Sequence, residues 1–298
     1  MDRFHAMRVL VRIADTGGFA EAARQMNYSP PAVTRAIAGL EDLIGARLFT
    51  RTTRSVKLTE TGQRYVDDCR RIIAAIEEAE ASAAGSFAKP TGLLTITASE
   101  LFGQNYMVEI MTDFLDTYPD MTGRMLFLDR VTNLVDEGID VAIRIGHLPD
   151  SSYSAVKVGM ARRVICGSPD YFERHGIPRH PSDLANHRLI AATGAWTSLE
   201  WRFGRDGKTI INVKPAAFCN SNSGAIAAAR SGWGLTRVLS YQIGPDLLAG
   251  SLQIALEEFE MEPMPIHIVH PEGRNAAAKV RAFIDFAVPR LRAIRLIN

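Results

Sequence analysis

GFAEAARQMNYSPPAVTRAIAGLEDLIGARLFTRTTRSVKLTETG, residues Gly18–Gly62, is the stretch from which the rest of the chain can be read. Phe19, Ala20, Ala23 and Met26 recur at helical intervals and form one apolar face. Asn27 and Tyr28 interrupt it. Ser29 then stands at an N-cap position, where a hydroxyl accepts a backbone N–H of the first turn. Pro30 follows at the first helical position, where its missing N–H costs nothing. Val33, Ile37, Leu40, Leu43 and Ile44 make a second stripe, and Gly45 suits the left-handed position that ends a helix. Two short helices joined by a few residues form a helix-turn-helix pattern.

In such a pair the second helix enters the major groove and touches base edges with its N-terminal half. The face left to solvent carries Pro31, Ala32, Thr34, Arg35 and Ala38. Thr34 can bond a phosphate or a base edge, and Arg35 can pair with phosphate or bidentately with guanine. Arg47 to Leu58 then alternates apolar and polar residues as two strands do, with Arg47, Arg51, Arg54 and Lys57 as its cations. A basic hairpin of this kind suits a wing along the phosphate backbone. The candidate DNA contacts are therefore Ser29, Pro30, Pro31, Thr34 and Arg35 on the helix, with Arg51, Thr52, Arg54 and Lys57 on the wing. The plain alternative is a helical hairpin with a solvated basic loop.

The segment resembles the N-terminal domain of LysR-type transcriptional regulators. The residues that carry the likeness are Phe19, Ala22-Ala23, Ser29, Ala32-Val33-Thr34-Arg35, Ile37, Leu40-Glu41, Leu43, Gly45, Arg47-Leu48-Phe49, Arg51, Leu58-Thr59 and Gly62. The likeness covers Phe4 to about Phe87, and the remainder fits the family's effector domain. The sequence departs from the family where Gln is common: Pro30 and Ala36 stand there, which removes two base-reading side chains and shifts weight to Thr34, Arg35 and DNA shape.

Composition is that of an ordinary soluble globular protein rather than a uniformly basic nucleic-acid coat. Of 298 residues, 47% are hydrophobic and 22% charged, and net charge is +1. The charge is uneven: nine cations against five anions up to Leu58 give +4 there and leave −3 on the rest. The chain begins MDRFHAMRVL, without a basic-then-apolar leader, and holds no long apolar run, so the expectation is a cytoplasmic protein with no membrane association. Cys69, Cys166 and Cys219 are too scattered for a disulfide framework or metal site; a Cys166–Cys219 redox pair is the remote alternative to buried free thiols.

Along the chain, Phe4, Met7, Leu10, Val11 and Ala14 form the helix behind the motif, ended by Gly17-Gly18. From Thr59 to about Phe87, Val66, Cys69, Ile72, Ile73 and Ile76 line one side of a helix of roughly 40 Å. Such a one-sided helix wants a partner, and these five residues are the expected dimerisation seam; the alternative is a core helix of the next domain. Two copies would present two recognition helices to a two-fold site in double-stranded DNA. Ala88-Lys89-Pro90-Thr91-Gly92 forms a hinge.

Beyond it strands alternate with helices, which implies an α/β domain with parallel strands. Strands are expected near Leu94, Met125, Val141, Val164, Leu189, Leu235, Leu252 and Ile266. Helices are expected over Gly103–Tyr118, Leu134–Glu137, Ala225–Ser231 and Ala276–Ala287, with a hairpin turning at Asp206-Gly207. The resemblance implies a periplasmic-binding-protein-like effector domain whose chain crosses from one subdomain to the other and returns. The expected organisation is a winged helix-turn-helix over residues 1–58, a linker helix over 59–88 and an effector domain over 92–298. Within the last, subdomain I spans about 92–163 and 267–298, and subdomain II about 164–266.

Ligands in open α/β sheets sit beyond the carboxyl ends of strands and near helix N-termini. That rule selects Ser99 and Glu100 after the first strand, Arg130 and Thr132 after the second, Arg144 and Gly146 at the end of the third, and Asn220 and Asn222 before a helix. Ser99 and Asn222 can donate neutral hydrogen bonds, and Arg130 or Arg144 can hold a carboxylate, so the expected effector is a small anion. The plain alternatives are helix caps and an internal ion pair. No hydrolase elbow, phosphate loop or dinucleotide fingerprint is present. His175, His180 and His187 alternate with Pro and Arg as a solvated loop does, and Asp67-Asp68 faces water. No cofactor, metal site or catalytic residue is expected. The expected protein is a non-enzymatic regulator, a homodimer or homotetramer, with DNA, an effector and RNA polymerase as partners. The alternative is a solute-binding or enzymatic α/β protein with an unrelated helical appendage.

Overall fold

The computed structural model describes residues 2–51, 56–83, 89–150, 152–192, 199–271 and 276–297. The chain divides into two compact units, Met1–Lys89 and Pro90–Asn298.

In the first unit, α1 (Arg3–Thr16) is capped by Asp2, whose carboxylate accepts the His5 N–H. Helices α2 (Phe19–Gln25) and α3 (Pro30–Ile44) form the helix-turn-helix, with Asn27 in the left-handed region at the turn. Val33, Ile37 and Leu40 of α3 pack against Ala6, Leu10 and Ile13 of α1 and Ala22 and Ala23 of α2. The wing is an antiparallel pair, β1 (Phe49–Arg51) and β2 (Val56–Leu58). One buried carboxylate ties α3 to it. Glu41 Oε1 accepts the Leu48 and Phe49 N–H groups at 2.7 and 3.2 Å, and Oε2 accepts from Arg47 Nη1 at 3.0 Å. Burial acts to raise the Glu41 pKa, but the three donors outweigh it and hold it below the usual carboxylate value.

Helix α4 (Glu60–Ala83) starts where Gly62 passes the wing: a Cβ there would lie 2.0 Å from the Leu48 carbonyl oxygen. The seam expected on α4 is divided by the fold. Val66 and Cys69 are fully buried against the chain's own N-terminal core, and Ile73 packs partly on it. The cause is simple: α4 lies against α1, so the first half of its apolar stripe is covered within the protomer. Ile72, 42% exposed, and half-buried Ile76 remain on the outside.

The second unit holds two five-stranded sheets. Strand β3 (Gly92–Ala98) leads into α5 (Glu100–Phe102), a π-helical turn over Gly103–Met107, and α6 (Val108–Thr117). Strands β4 (Met121–Phe127), β5 (Val141–Ile145) and β6 (Ser154–Ala161) follow. Leu134–Glu137, expected as a short helix, is a run of turns shaped by Asn133, whose Oδ1 accepts from Val135 and Asp136. At Arg162 the chain crosses to the other sheet.

There it forms β7 (Arg163–Gly167), α7 (Pro169–His175), β8 (Leu189–Ala192), the hairpin β9 (Glu200–Phe203) and β10 (Thr209–Asn212), and β11 (Ala217–Cys219). Then come α8 (Asn222–Arg230), β12 (Leu235–Leu239), α9 (Gly244–Ala249) and β13 (Gln253–Ala255). The last strand, β14 (Met264–His270), returns to the first sheet, and α10 (Ala278–Ala293) packs on it. Strand order is β4-β3-β5-β14-β6 in subdomain I and β11-β8-β12-β7-β13 in subdomain II. Strand β3 runs parallel to β4 and β5, and β8 parallel to β11 and β12, so the strand-to-helix turns gather at one end of each sheet. This is the periplasmic-binding-protein-like architecture of two α/β subdomains joined by crossing segments.

Glu41→Ala should destabilise the N-terminal unit by about 2–4 kcal/mol, because two buried amides lose their acceptor. Calorimetry of the full chain reads it as a lowered first transition, and an unchanged transition would deny the clamp any part in stability. The folded pKa lies below the unfolded one, so this stabilisation is complete above the unfolded carboxylate pKa, about 4.3, and is lost as pH falls through the folded value.

Candidate functional site

On α3 the buried side and the solvent side separate cleanly. Pro31, Arg35 and Ala38 are exposed, and Thr34 is half-buried. Ala36, where the family often has Gln, packs partly on the core. Ser29 is the N-cap by backbone geometry, but its hydroxyl does not cap. The reason is chemical: Pro30 and Pro31 have no N–H to offer, and the Ala32 N–H donates to the Ser29 carbonyl oxygen at 2.9 Å. Ser29 and Pro30 are both exposed, so the serine hydroxyl is left for solvent or phosphate. Arg35 Nε reaches the Pro31 carbonyl oxygen at 3.4 Å, which leaves its guanidinium on the surface. Lys57 is exposed on β2. Thr52, Arg54 and the Arg51 side chain lie outside the described residues.

In the second unit the two sheets face each other across a cleft of about 490 Å³. Of the effector candidates, Ser99, Arg130, Thr132, Arg144, Gly146, Asn220 and Asn222 line it. Glu100 does not. Its carboxylate turns back to Gln104 on the same helix, while its N–H donates to Asp129 Oδ1 at 3.0 Å.

That last bond changes the role of Ser99. Asp129 supplies the acceptor at the start of α5, so the Ser99 hydroxyl makes no cap and instead meets the Tyr241 hydroxyl at 2.9 Å. Tyr241 is fully buried after β12, and its carbonyl oxygen accepts from Tyr106 Oη at 3.0 Å. Burial pushes both phenols up, Tyr106 to about 12, so both remain protonated donors. Subdomain I is thus joined to the β12–α9 turn of subdomain II by neutral hydrogen bonds beside the cleft.

The cations of subdomain I are already engaged. Arg130 forms a two-pronged ion pair with Glu137 at 2.9 and 2.7 Å. Arg144 Nη2 donates to the carbonyl and hydroxyl oxygens of buried Thr132 at 2.6 and 2.9 Å. Desolvation lowers the Arg144 pKa, and the remaining edge of its guanidinium opens on the cleft. Opposite, Ser221 rather than Asn222 is the N-cap of α8, accepting the Gly224 N–H at 3.2 Å. Asn222 is the first residue of that helix.

Sequence reasoning missed Tyr241, Trp201, Arg163 and Arg237, all of which line the cleft. A lone cation inside the apolar strand Leu-Thr-Arg-Val-Leu was the available signal for Arg237. His175 and His187 flank the Tyr171 ring at 4.6 and 5.8 Å, and His180 starts a 3-10 turn. Cys166 is buried, which pushes its thiol up to about 12, and it forms no disulfide with half-buried Cys219. Among the described residues no helix is long and apolar enough to cross a membrane.

Comparison with known proteins covers nearly the whole chain. Residues 4–63 match the family described as "Bacterial regulatory helix-turn-helix protein, lysR family", and residues 88–292 match "LysR substrate binding domain". An HTH-type transcriptional regulator of Xanthomonas campestris pv. campestris is 32% identical over 288 residues, 95% of this chain and 84% of that protein. The HTH-type transcriptional activator AaeR of Escherichia coli K12 is 28% identical over 96% of this chain and 93% of its own length. The structure of CrgA, a LysR-type transcriptional regulator from Neisseria meningitidis, superposes with a TM-score of 0.63 at 25% identity, covering 96% of this chain and 98% of that one.

If the Ser99–Tyr241 bond joins the subdomains, Ser99→Ala and Tyr241→Phe should not add. A double-mutant cycle on the second thermal transition should give a coupling of about 0.5–1.5 kcal/mol. Additive losses would show that the two hydroxyls act separately.

Proposed function

The chain belongs to the LysR family of DNA-binding transcriptional regulators, whose effector-binding domain is the second unit, and from that membership we propose that a small anionic effector, bound in the cleft between its subdomains, controls how an oligomer of this protein holds a two-fold operator. One observation carries the effector site: seven residues from separate strand ends and helix starts converge on one cleft large enough for a metabolite-sized molecule. The operator is read by Thr34 and Arg35, with Ser29 and Lys57 on phosphates and with Arg51, Thr52 and Arg54 completing the wing. Pro30 and Pro31 shape the helix tip and contact the groove by surface alone. On this reading the protein works in the cytoplasm, beside the chromosome and RNA polymerase.

Footprinting of the full chain on the DNA upstream of its own gene tests both halves. The expected result is protection with two-fold symmetry that weakens steeply with salt and changes extent when a matching small acid is added. No protection at low salt would overturn the operator reading. A footprint unmoved by every acid in a broad panel, none of which binds the protein, would overturn the effector reading.

For oligomerisation the relevant part of α4 is its outer face. Ile72→Asp should halve the mass of the smallest stable species by light scattering, because an exposed apolar side chain becomes a buried unpaired charge in any interface formed there. An unchanged mass would remove Ile72 and Ile76 from the interface.

A further inference from the structure

Two arginines on the subdomain II wall have no carboxylate partner among the described residues. Arg163 opens β7, and Arg237 lies in the middle of β12. The strands are antiparallel, with Arg237 opposite Ile165 and Leu239 opposite Arg163, so the two guanidiniums project from the same face as diagonal neighbours. That face also carries Ile165 and Leu235 into the core with Trp201 and Phe203. Both arginines line the cleft at the open edge of this core.

Arg237 is held rigidly. Its guanidinium lies over the Phe203 and Trp201 rings at 5.4 and 5.8 Å, and Nη2 donates to the Arg202 carbonyl oxygen at 2.6 Å. Nη2 also reaches the Met261 sulfur at 3.7 Å, and Nε and Nη1 meet no oxygen acceptor among the described residues. The Arg163 guanidinium reaches the Met264 sulfur, 3.9 Å from Nη2. Glu200 also lines the cleft, but its carboxylate is drawn to Arg202, 3.4 Å away. Desolvation and then the charge of Arg163 lower the Arg237 pKa, and desolvation lowers that of Arg163. Two like charges are therefore kept close together, partly stripped of water and unneutralised, a state that a bound anion relieves.

The other cleft groups direct an anion to the same place. Asp129 already puts a carboxylate at the start of α5, Arg130 is neutralised by Glu137, and Arg144 is half-spent on Thr132. We propose that Arg163 and Arg237 form an oxyanion subsite on the subdomain II wall, which takes the carboxylate or phosphate group of the effector. This rests on the reading of the cleft as the effector site and adds which end of the ligand goes where. The charged end is held by subdomain II, and the uncharged body lies toward Ile143, Ile145 and the Ser99–Tyr241 pair of subdomain I. A ligand seated this way bridges the two subdomains.

Calorimetric titration of the full chain with benzoate, phenyl phosphate and the neutral benzamide tests this. Whichever anion binds more tightly assigns the group. Arg163→Met and Arg237→Met should each weaken that anion about tenfold or more, the loss expected when a charge-assisted bond is removed. Arg124→Met, a charge control on the exposed part of β4, should change it less than about twofold. Benzamide should bind more weakly than the anions in the wild type and be insensitive to both arginine substitutions. Should a Met variant fail to fold, Arg163→Lys and Arg237→Lys keep the charge and lose the planar fork, and benzoate should then lose more affinity than phenyl phosphate. Anions that bind equally well to both Met variants and are lost only in Arg144→Met would overturn the subsite and leave the cleft standing. Anion binding absent up to about 20 mM, with benzamide still bound, would overturn it in the same way.

Discussion

The DNA-binding unit depends on a single buried carboxylate. A recognition helix is useful only if its angle to the wing is constant, because the two contact the duplex at points separated by a groove width. Glu41 sits on the buried side of α3 and accepts two consecutive backbone N–H groups as the chain turns into β1, with Arg47 on its second oxygen. Buried amides without acceptors are costly, so the wing cannot swing without breaking bonds that no solvent replaces. Gly62 secures the same corner from the other side, since only a residue without Cβ lets α4 pass the Leu48 carbonyl. The apolar stripe of α3 then has one place to go, against α1 and α2, and its opposite face is delivered to solvent in a set orientation.

The effector domain follows a different logic. Its two sheets are built separately, each with its own apolar cores, and the chain passes between them at Arg162 and again before β14. Arg162 bonds Glu260 on the returning segment at 3.1 Å, so the two crossings are tied together. Tyr241 joins the subdomains in two ways: its buried ring packs in the subdomain I core against Phe102 at 5.2 Å, and its hydroxyl and carbonyl oxygen bond Ser99 and Tyr106. The hydrogen bonds are neutral and each is worth little net, so the buried ring is the firmer part of the joint. On the proposed reading, a ligand that competes for the Ser99 hydroxyl acts on a contact anchored in that core.

Much of this was legible in the residues. The helix-turn-helix, the wing and the strand–helix alternation follow from periodicity: Ala23, Val33, Ile37 and Leu40 are buried as the pattern assigns, while Ala20 and Leu43, at the margins of the two stripes, are exposed. The cleft candidates followed from a rule about strand ends, and seven of them share one cleft. What was not legible depends on which surfaces the chain itself covers. The α4 stripe reads as one continuous seam, yet its first half is taken by α1, and no period reveals that Val66 and Cys69 are covered within the protomer while Ile72 is not. The alternative that Ser99 and Asn222 merely cap helices could not be decided from the residues either: Asp129 arrives from a distant loop to accept the first N–H of α5, and Ser221, one residue ahead of Asn222, caps α8. Arg163 and Arg237 were hidden because neighbouring strands that are far apart in sequence bring them together.

The paired prolines at the start of α3 have a consequence for how the helix meets a double helix. A helix tip usually presents bare amide hydrogens, a fixed socket for one phosphate that sets the depth and tilt of docking. Here the first two positions have no hydrogen, and the third is spent on the Ser29 carbonyl. That leaves the Ser29 hydroxyl and no row of bare amides. On the proposed reading, docking depth is then set from the flank, by the wing and by a second copy of the protein. The helix would rest in its groove like a key without a shoulder, free to seat at slightly different depths on operators of different groove width.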